Sequence, residues 1–383
     1  MERQCLMIPG PTPVPVGAAL AGAQPMINHR GPEFGALLSE VTGSLARVLV
    51  THGTVLVFPA SGTGGMEASA VNLVSPGDKV LVAVAGEFGS RFAEILRVTG
   101  AQVSTIEVEW GTRVDPAAIR AALESDPAIR AVVVTHNETS TGVTMDLASI
   151  RRAIVREDVL FIVDAISSMG AIQLHQDEWG IDAVVGGSQK GLMTPPGLAM
   201  ISLSPKAWDK VERTTRRSVY WDFMAARKFF ERPTAQTPYT PAVSLLYSLR
   251  ESLRMLESEG LENVYRRHRM LARAVRAGVR GIGLEPLAPD DCASSTVTAV
   301  KLPDGVDAKS LLSTLRKEYG VVIAGGQGSL SGRIIRIGHV GNVSWQEVVV
   351  SLSAIEMALA KLGRSVDRGA SVAAAEEVFM ARG

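Results

Sequence analysis

The 383-residue sequence has few cysteines, few aromatic residues and no net charge. Its two cysteines, Cys5 and Cys292, are too few and too far apart for a disulfide framework or a CxxC metal site, and two unpaired thiols fit a reducing compartment. Lysine plus arginine and aspartate plus glutamate both total 39, so no excess charge attracts nucleic acid or anionic lipid over long range. We therefore expect neither nucleic acid nor a membrane surface as a partner.

Long apolar runs are absent as well. No stretch approaches the ~20 apolar residues of a bilayer-spanning helix. Prolines interrupt the N-terminus, where a secretory signal needs a continuous apolar core (Pro9, Pro11, Pro13 and Pro15). The six histidines show no HxxxH or HExxH spacing, so no metal site is predicted. These absences predict a cytoplasmic globular protein.

Arginines are frequent, but their distribution does not indicate nucleic-acid binding. Two clusters lack interleaved aromatic residues, which is typical of a solvated surface: Arg266, Arg267 and Arg269, and Arg213, Arg216 and Arg217. The second cluster is also placed within reach of an active-site rim.

Short β-branched runs alternate with longer amphipathic stretches from about Thr54 to Leu203. The predicted strands are Val55–Phe58, Lys79–Ala85, Ala131–Thr135, Leu160–Val163, Ala183–Gly186 and Leu198–Leu203. Nearly continuous apolar strands separated by helices indicate a mostly parallel sheet that is covered on both faces. Such sheets bind ligands at the carboxyl ends of their strands.

The pattern changes after Leu203. Long helical patterns cover Pro241–Glu257 and Leu261–Val279, and shorter strand and helix patterns follow as far as Leu362. This part predicts a smaller α+β domain. The Ala- and Glu-rich tail beyond Gly363 reads as one exposed helix.

Two ionisable residues stand where apolar strands end. Asp164 closes the run Leu160–Val163, and Lys190 follows the run Ala183–Gly186. A charge is expensive to bury unless something pairs with it. A pyridine cofactor would do so, because it needs an anion at its ring nitrogen to act as an electron sink and an amine that forms an imine with it.

A third motif, Ser61-Gly62-Thr63-Gly64-Gly65-Met66-Glu67, follows a strand and opens a helix. Glycines let backbone amides approach a ligand, and a helix N-terminus favours a phosphate. The GxxxxGK[ST] order of a P-loop is absent. Taken alone, a glycine-rich turn explains this segment equally well, and its order relative to Asp164 and Lys190 is what favours a phosphate cradle.

The order of these motifs resembles the class V aminotransferases of the fold type I pyridoxal-phosphate superfamily, and most closely the alanine:glyoxylate and serine:pyruvate group. The resemblance also includes Pro9-Gly10-Pro11-Thr12, His136-Asn137-Glu138-Thr139-Ser140-Thr141-Gly142, Ser188-Gln189-Lys190 and Arg336-Ile337-Gly338-His339. It implies an α/β fold with a mixed, mostly parallel seven-stranded sheet between helices and a smaller α+β C-terminal domain. The expected division is an N-terminal segment at the active site (1–20), a large cofactor-binding domain (21–258) and a small domain (259–383).

The resemblance implies pyridoxal 5'-phosphate as cofactor, held as a Schiff base on Lys190, which also shuttles the substrate proton. Asp164 would pair with the pyridine nitrogen and Thr139 with the phenolic oxygen. Phe88 would stack on one face of the ring and Ile166 on the other. The residues expected at the phosphate are Thr63, Gly64, Gly65 and Gln189.

The same resemblance places Arg336 at the substrate α-carboxylate, where its bidentate fork cannot be replaced by lysine. Gly10, in the segment Pro9–Thr12, is expected at the substrate mouth. Thr240 would reach the phosphate of a neighbouring subunit, which predicts a homodimer with shared active sites. Some relatives have a tyrosine where this chain has Thr237, so whether Thr237 or Tyr239 makes a second phosphate contact stays open.

The predicted function is transfer of an amino group from alanine or serine to glyoxylate or pyruvate. The absence of a clear second anion clamp disfavours dicarboxylic donors. Three alternatives stay open: a pyridoxamine:pyruvate aminotransferase, a pyridoxal-phosphate lyase or desulfurase that uses Cys292, and a non-catalytic subunit associated with a hydrogenase. The desulfurase needs a mobile, activated thiol.

Overall fold

The computed structural model of the protein describes residues 4–215 and 218–381. Arg216 and Arg217 lie outside the described residues, so the interpretation of that arginine cluster stays a prediction. Within the described ranges, no helix combines the length and the apolar character that a membrane crossing requires.

The strands and helices alternate along the first half of the chain. The strands are β1 (Cys5–Met7), β2 (Thr54–Pro59), β3 (Lys79–Val84), β4 (Gln102–Glu107), β5 (Ile129–Thr135), β6 (Asn137–Glu138), β7 (Val143–Thr144), β8 (Leu160–Asp164), β9 (Ala183–Gly187), β10 (Leu198–Leu203), β11 (Glu285–Pro286), β12 (Val297–Lys301), β13 (Val321–Gly325) and β14 (Ile334–Gly338). The helices are α1 (Val16–Gly22), α2 (Pro32–Leu49), α3 (Gly62–Leu73), α4 (Glu87–Val98), α5 (Pro116–Ser125), α6 (Leu147–Ala153), α7 (Pro205–Arg213), α8 (Phe223–Phe230), α9 (Val243–Glu259), α10 (Leu261–Gly281), α11 (Ala308–Glu318), α12 (Trp345–Lys361) and α13 (Ala370–Met380).

Seven strands form a large sheet in the order β2-β10-β9-β8-β5-β3-β4. All neighbouring pairs are parallel except those of β10, which is antiparallel to both β2 and β9. Helices cover both faces, which is why β5, β8 and β9 are almost wholly apolar and buried. The predicted fold class is confirmed.

The register of the large sheet places the candidate chemistry at one edge. Thr135, the last residue of β5, pairs with Asp164, the last residue of β8, and Asp164 in turn pairs with Val185 of β9. Strand β9 ends at Gly187, three residues before Lys190. Because these strands are parallel, their carboxyl ends and the loops that follow lie together.

A small sheet has the order β1-β13-β14-β12-β11. Its N-terminal strand β1 runs parallel to β13, whereas the other pairs are antiparallel. Apolar residues of its strands and of helices α10, α11 and α12 form its core, including Leu271, Ile335 and Leu352. Residues 8–12 therefore lead directly from the small sheet toward Lys190.

The tail forms a helix, as predicted, but the expectation that this helix is exposed is wrong. Helix α13 packs on α10 and α12, and Ser371 and Ala375 are buried. The buried carboxylate of Glu356 accepts hydrogen bonds from the amides of Gly369 and Ser371, each at 2.7 Å. Small residues on α10 and α13 permit these two helices to approach closely, since a Cβ on Gly281 would lie 2.8 Å from the carbonyl oxygen of Ala370.

Candidate active site

Asp164 is a buried carboxylate at the carboxyl edge of the large sheet. It is 3% exposed, and its Oδ1 accepts a hydrogen bond from the amide of Ile166 at 2.9 Å. Burial raises the pKa of Asp164 to about 7, and the negative charge of Glu138 adds to this, whereas the Ile166 amide and the charge of Lys190 oppose it. The side chain therefore lacks the strong pairing that would keep a buried carboxylate ionised.

Lys190 lies partly buried in the loop after β9. Its Nζ donates to the carbonyl of Pro9 at 2.5 Å, and the described residues offer it no ion pair. Burial lowers the pKa of Lys190 to about 8, the charge of Arg336 lowers it as well, and Asp164 acts in the opposite direction. An amine whose pKa is close to neutral can act as a nucleophile and a base.

The N-terminal segment is held against the Lys190 loop. Gly10 has a φ of +125°, a backbone conformation that favours glycine, and a Cβ there would lie 2.5–2.7 Å from three atoms of the Lys190 side chain. The Thr12 amide donates to the Gln189 carbonyl at 3.0 Å, and the Thr12 hydroxyl donates to the Val340 carbonyl. Gly10 and Lys190 are thus brought together.

The glycine-rich motif forms the first turn of α3. The Ser61 hydroxyl accepts from the Gly64 amide at 3.4 Å, and a Cβ on Gly62 would lie 2.6 Å from the Ile166 side chain. The first amides of a helix have no acceptor within the helix and attract anions. Thr63 and Gly64 therefore lie at a helix end of this kind next to Ile166, whereas the Gly65 amide already donates to the Ser61 carbonyl at 3.2 Å.

Gln189 precedes Lys190 and faces the same region. Its Oε1 is buried without a hydrogen-bond partner, and it would lie 3.3 Å from a Cβ on Gly187. A Cβ on Gly187 would also approach Ile166 at 3.1 Å. This oxygen is an acceptor to which none of the described residues donates.

Arg336 is a buried cation on β14, 7% exposed. Its Nε donates to the Gly325 carbonyl at 2.7 Å, and its NH1 group donates to the Thr139 carbonyl at 3.1 Å. Burial lowers the pKa of Arg336, and the charge of Glu138 opposes that shift. Arg336 therefore joins the small sheet to the loop that carries Thr139.

Phe88 lies in the first turn of α4, and its amide donates to the Glu138 carboxylate at 3.0 Å. The Arg91 guanidinium lies 4.9 Å from the centre of the Phe88 ring. Because Glu138 immediately precedes Thr139, this hydrogen bond holds the backbone of Phe88 close to the loop that carries Thr139.

Thr240 is not brought to this cluster within one chain. It is exposed in the loop before α9, and among the described residues no hydrogen bond links it to Lys190 or the α3 end. Tyr239 stacks on Tyr220 at 5.3 Å between ring centres and donates its hydroxyl to the Val219 carbonyl. The Thr237 hydroxyl donates to the Tyr239 carbonyl at 2.6 Å, so both candidate hydroxyls have partners inside the chain.

Sequence reasoning missed Trp221, whose ring lies 3.2 Å from the Cβ position of Gly64. Asn72 of α3 donates to the Trp221 carbonyl at 2.5 Å and accepts from the Phe223 amide at 3.2 Å, which ties this loop to α3. The adjacent aromatics Tyr220 and Trp221 were the available signal in the sequence. They mark a loop that covers the glycine-rich turn.

Cys292 lacks the properties of a reactive thiol. It is 5% exposed and its Sγ donates weakly to the Pro289 carbonyl at 3.7 Å. Burial raises the pKa of Cys292, and the charge of Asp291 raises it further. Activated thiols have the opposite shift, so this geometry disfavours a desulfurase.

The chain is similar to proteins of one family over most of its length. The family model described as Aminotransferase class-V matches residues 19–345. The solved structure of pyridoxamine-pyruvate aminotransferase from Mesorhizobium loti superposes with a TM-score of 0.95 at 30% identity, covering 99% of this chain and 97% of that one.

Curated relatives have three kinds of name. The soluble hydrogenase small subunit of a Synechococcus strain is 42% identical over 99% of both chains. The L-aspartate--glyoxylate aminotransferase of Paracoccus denitrificans is 38% identical, covering 98% of this chain and 96% of its own. The serine--glyoxylate aminotransferase of Methylorubrum extorquens is 39% identical, covering 97% and 95%.

Proposed function

This chain belongs to the class-V aminotransferases, and we propose that it transfers an amino group from alanine or serine to glyoxylate or pyruvate, with pyridoxal 5'-phosphate bonded to Lys190. The observation that carries the proposal is the pair of buried groups at one sheet edge, an amine and a carboxylate with pKa values shifted toward neutrality.

The donor set of the site fits this cofactor. The Asp164 carboxylate supplies an anion for the ring nitrogen, and pairing with that cation would relieve its burial. Thr63, Gly64 and Gly65 at the start of α3 would hold the phosphate, and the side-chain NH2 group of Gln189 would donate to it. Phe88 and Ile166 would enclose the ring, and the Thr139 hydroxyl would hydrogen-bond its phenolic oxygen.

The bound cofactor supplies an electron sink that stabilises negative charge at the substrate Cα. Lys190 Nζ would take the proton from the substrate Cα and deliver it to the cofactor carbon. An amine with a pKa of about 8 can do this because part of it is neutral at working pH. Asp164 would keep the ring nitrogen protonated and so maintain the sink. The tight approach of Gly10 would help to keep water from the Lys190 amine.

Arg336 would bind the substrate α-carboxylate. Two of its five N–H groups donate to Gly325 and Thr139, which leaves one N–H on NH1 and both on NH2 for a carboxylate. The two backbone bonds hold the guanidinium plane in place before substrate arrives. This geometry supports bidentate binding of a 2-amino or 2-oxo acid.

The acceptor and donor rest on different support. Glyoxylate appears in the names of the Paracoccus and Methylorubrum relatives, whereas the donor is aspartate in one and serine in the other. We propose the smaller donor because the sequence offers no clear second anion clamp. A second candidate, exchange between pyridoxamine and pyruvate, is supported by the likeness to the Mesorhizobium structure, but the α3 end favours a phosphorylated cofactor.

A homodimer with shared sites is part of the proposal. Large apolar side chains are exposed near the loop of Thr240, including Met26, Val219, Tyr220 and Tyr239. A groove lined by Met26, His29 and Thr240 lies beside α9. An exposed apolar patch of this kind is typical of a subunit interface, and Thr240 would reach the partner's phosphate there.

The test is an absorption spectrum of the purified protein after addition of pyridoxal 5'-phosphate, beside Lys190→Ala and a control, Lys206→Ala. Lys206 pairs with Asp182 at 3.0 Å, away from the site. We expect the visible band of the lysine-bonded cofactor in the wild type and the control only. Loss of the proton-transfer group should also lower turnover of Lys190→Ala by at least about a thousandfold.

Titration then assigns the substrates. Alanine or serine should bleach the wild-type band, and glyoxylate or pyruvate should restore it, whereas bleaching by aspartate alone would reassign the donor. Bleaching by free pyridoxamine with pyruvate would favour the second candidate. Absence of the band in the wild type would overturn the proposal and leave the role of a hydrogenase-associated subunit, which the name of the Synechococcus relative suggests.

A further inference from the structure

The N-terminus of α4 is capped by side chains from another part of the chain. Gly86 precedes the helix and has no side chain that could cap it. The Glu138 carboxylate accepts from the amides of Phe88 at 3.0 Å and Gly89 at 3.1 Å, and the Ser140 hydroxyl accepts from the Glu87 amide at 3.0 Å. The first three amides of α4 are therefore satisfied from β6 and the residues that follow it.

The carboxylate is held firmly. Glu138 has no solvent exposure, and its Oε1 accepts from the Ser140 hydroxyl at 2.6 Å and from the Ser140 amide at 3.2 Å. A Cβ on Gly86 would lie 2.3 Å from the Ser140 hydroxyl and 2.6 Å from Glu138 Cγ, so glycine is required for this approach. Burial raises the pKa of Glu138, and the four hydrogen bonds oppose that shift only in part.

Glu138 stands between elements that reach the candidate site from different directions. On one side it fixes the backbone of Phe88. On the other it adjoins Thr139, whose carbonyl accepts from Arg336. Glu138 also lies close enough to Asp164 and Arg336 for its charge to act on both.

We propose that Glu138 is a positioning residue, which fixes Phe88 against one face of the cofactor ring while it holds Thr139 and Arg336 at the ring edge and the substrate. This inference rests on the proposed function. The mechanism is mechanical: the buried carboxylate links Phe88, 50 positions earlier, to the loop of Thr139, the next residue, whose carbonyl bonds to Arg336, 198 positions later. A change at Glu138 therefore alters their mutual geometry without touching substrate.

The chain offers a matched control in Glu356. This residue is also buried and also caps the N-terminus of a helix from a different element. It accepts from two amides and one serine hydroxyl (Gly369, Ser371 and the Ser371 hydroxyl), whereas Glu138 accepts from three amides and one serine hydroxyl. Glu356 lies on α12, which packs on the small sheet, and none of these hydrogen bonds involves a candidate site residue. Any effect common to both glutamates is therefore an effect of capping alone.

The experiment compares Glu138→Gln with Glu356→Gln and the wild type. Both carboxylates accept from backbone N–H donors, which the NH2 group of a glutamine would face instead at either site. We expect both variants to lose thermal stability without cofactor. Only Glu138→Gln should bind pyridoxal 5'-phosphate about tenfold more weakly, change the visible circular dichroism per bound cofactor, and raise KM for the amino donor.

Equal losses of stability with wild-type affinity, circular dichroism and KM in Glu138→Gln would overturn the inference and reduce Glu138 to a helix cap. If Glu138→Gln does not fold, Ser140→Ala is measured in its place; it removes one arm of the same cap, and unchanged affinity and circular dichroism there would equally overturn the proposal. A wild type without the visible band would instead refute the proposed function itself.

Discussion

Asp164 and Lys190 at the carboxyl edge of the large sheet, and the buried histidines His268 and His339 around the small sheet, differ in how far the chain satisfies their hydrogen-bonding capacity. At the large sheet, Asp164 accepts from the Ile166 amide and Lys190 donates to the Pro9 carbonyl, without an ion pair between them. Their pKa values are shifted to about 7 and about 8.

Around the small sheet, both nitrogens of each buried histidine have partners. His268 pairs with the Val264 carbonyl at 2.7 Å and accepts from the Gly341 amide at 3.0 Å. His339 pairs with the Thr298 hydroxyl and the Ser295 carbonyl. Burial lowers the pKa of His268 to about 4 and that of His339 to about 3, so both are neutral at working pH.

The difference distinguishes structural burial from functional burial. Neutral, fully bonded groups such as His268 stabilise the fold, whereas Asp164 and Lys190 change charge near neutral pH and have bonding capacity left over. The protonated ring nitrogen of the cofactor would use the remaining hydrogen-bonding capacity of Asp164. The two regions should therefore respond to substitution and to pH with opposite signs.

The largest expected effect comes from Asp164→Asn, which should lower activity and stabilise the cofactor-free protein. Breaking a buried charge pair costs about 3–5 kcal/mol, so turnover should fall about 10²–10⁴-fold if the pair is made in the transition state. Without cofactor, the raised pKa of Asp164 means that its favourable contribution is complete below pH 3.8 and is lost as pH rises to about 7.

That loss is at most about 4 kcal/mol, and asparagine does not incur it. Chemical denaturation of the cofactor-free proteins should show the variant more stable than wild type at pH 8 and the two converging as pH falls below 3.8. A variant that is less stable at pH 8 would show that Asp164 is a structural carboxylate like Glu356.

His268→Gln should show the opposite pH dependence. The folded pKa of His268 lies below its ordinary value of 6.5, so its contribution is present above that pH and is lost as pH falls toward 4. The wild type should lose up to about 3 kcal/mol over this interval, and the variant correspondingly less, although glutamine lowers stability at neutral pH. Equal losses in both proteins would mean that His268 is not buried as a neutral group.

Much of the large sheet could be predicted from sequence, because strands covered on both faces are apolar along their whole length. The edge strand β4 (Gln102–Glu107) was not predicted, since it is half-exposed and only Val103 and Ile106 of its six residues are apolar. The antiparallel direction of β10 was not predictable either. It depends on tertiary pairing with β2 and β9 and not on composition.

At the candidate site, the residues recognised from sequence are those that stand in motifs, such as Asp164 and Lys190. Glu138 stands in a recognised motif as well, but its partners Phe88 and Gly89 lie about 50 positions earlier, and no local pattern links them. Pro9 acts through its backbone carbonyl, which any residue type would provide. The role predicted for Thr240 depends on a second subunit, and one chain cannot test it.

The smallest of these effects is expected from Arg336→Lys. Lysine keeps the positive charge but cannot form the bidentate fork, and it cannot donate simultaneously to Gly325, Thr139 and a carboxylate. We expect KM for the amino donor to rise about tenfold, with the cofactor band and the thermal stability close to wild type, because the charge balance with Glu138 is preserved. Steady-state kinetics with alanine and serine provide the measurement. An unchanged KM would place the substrate carboxylate elsewhere, and Arg336 would then belong with the satisfied groups of the small sheet.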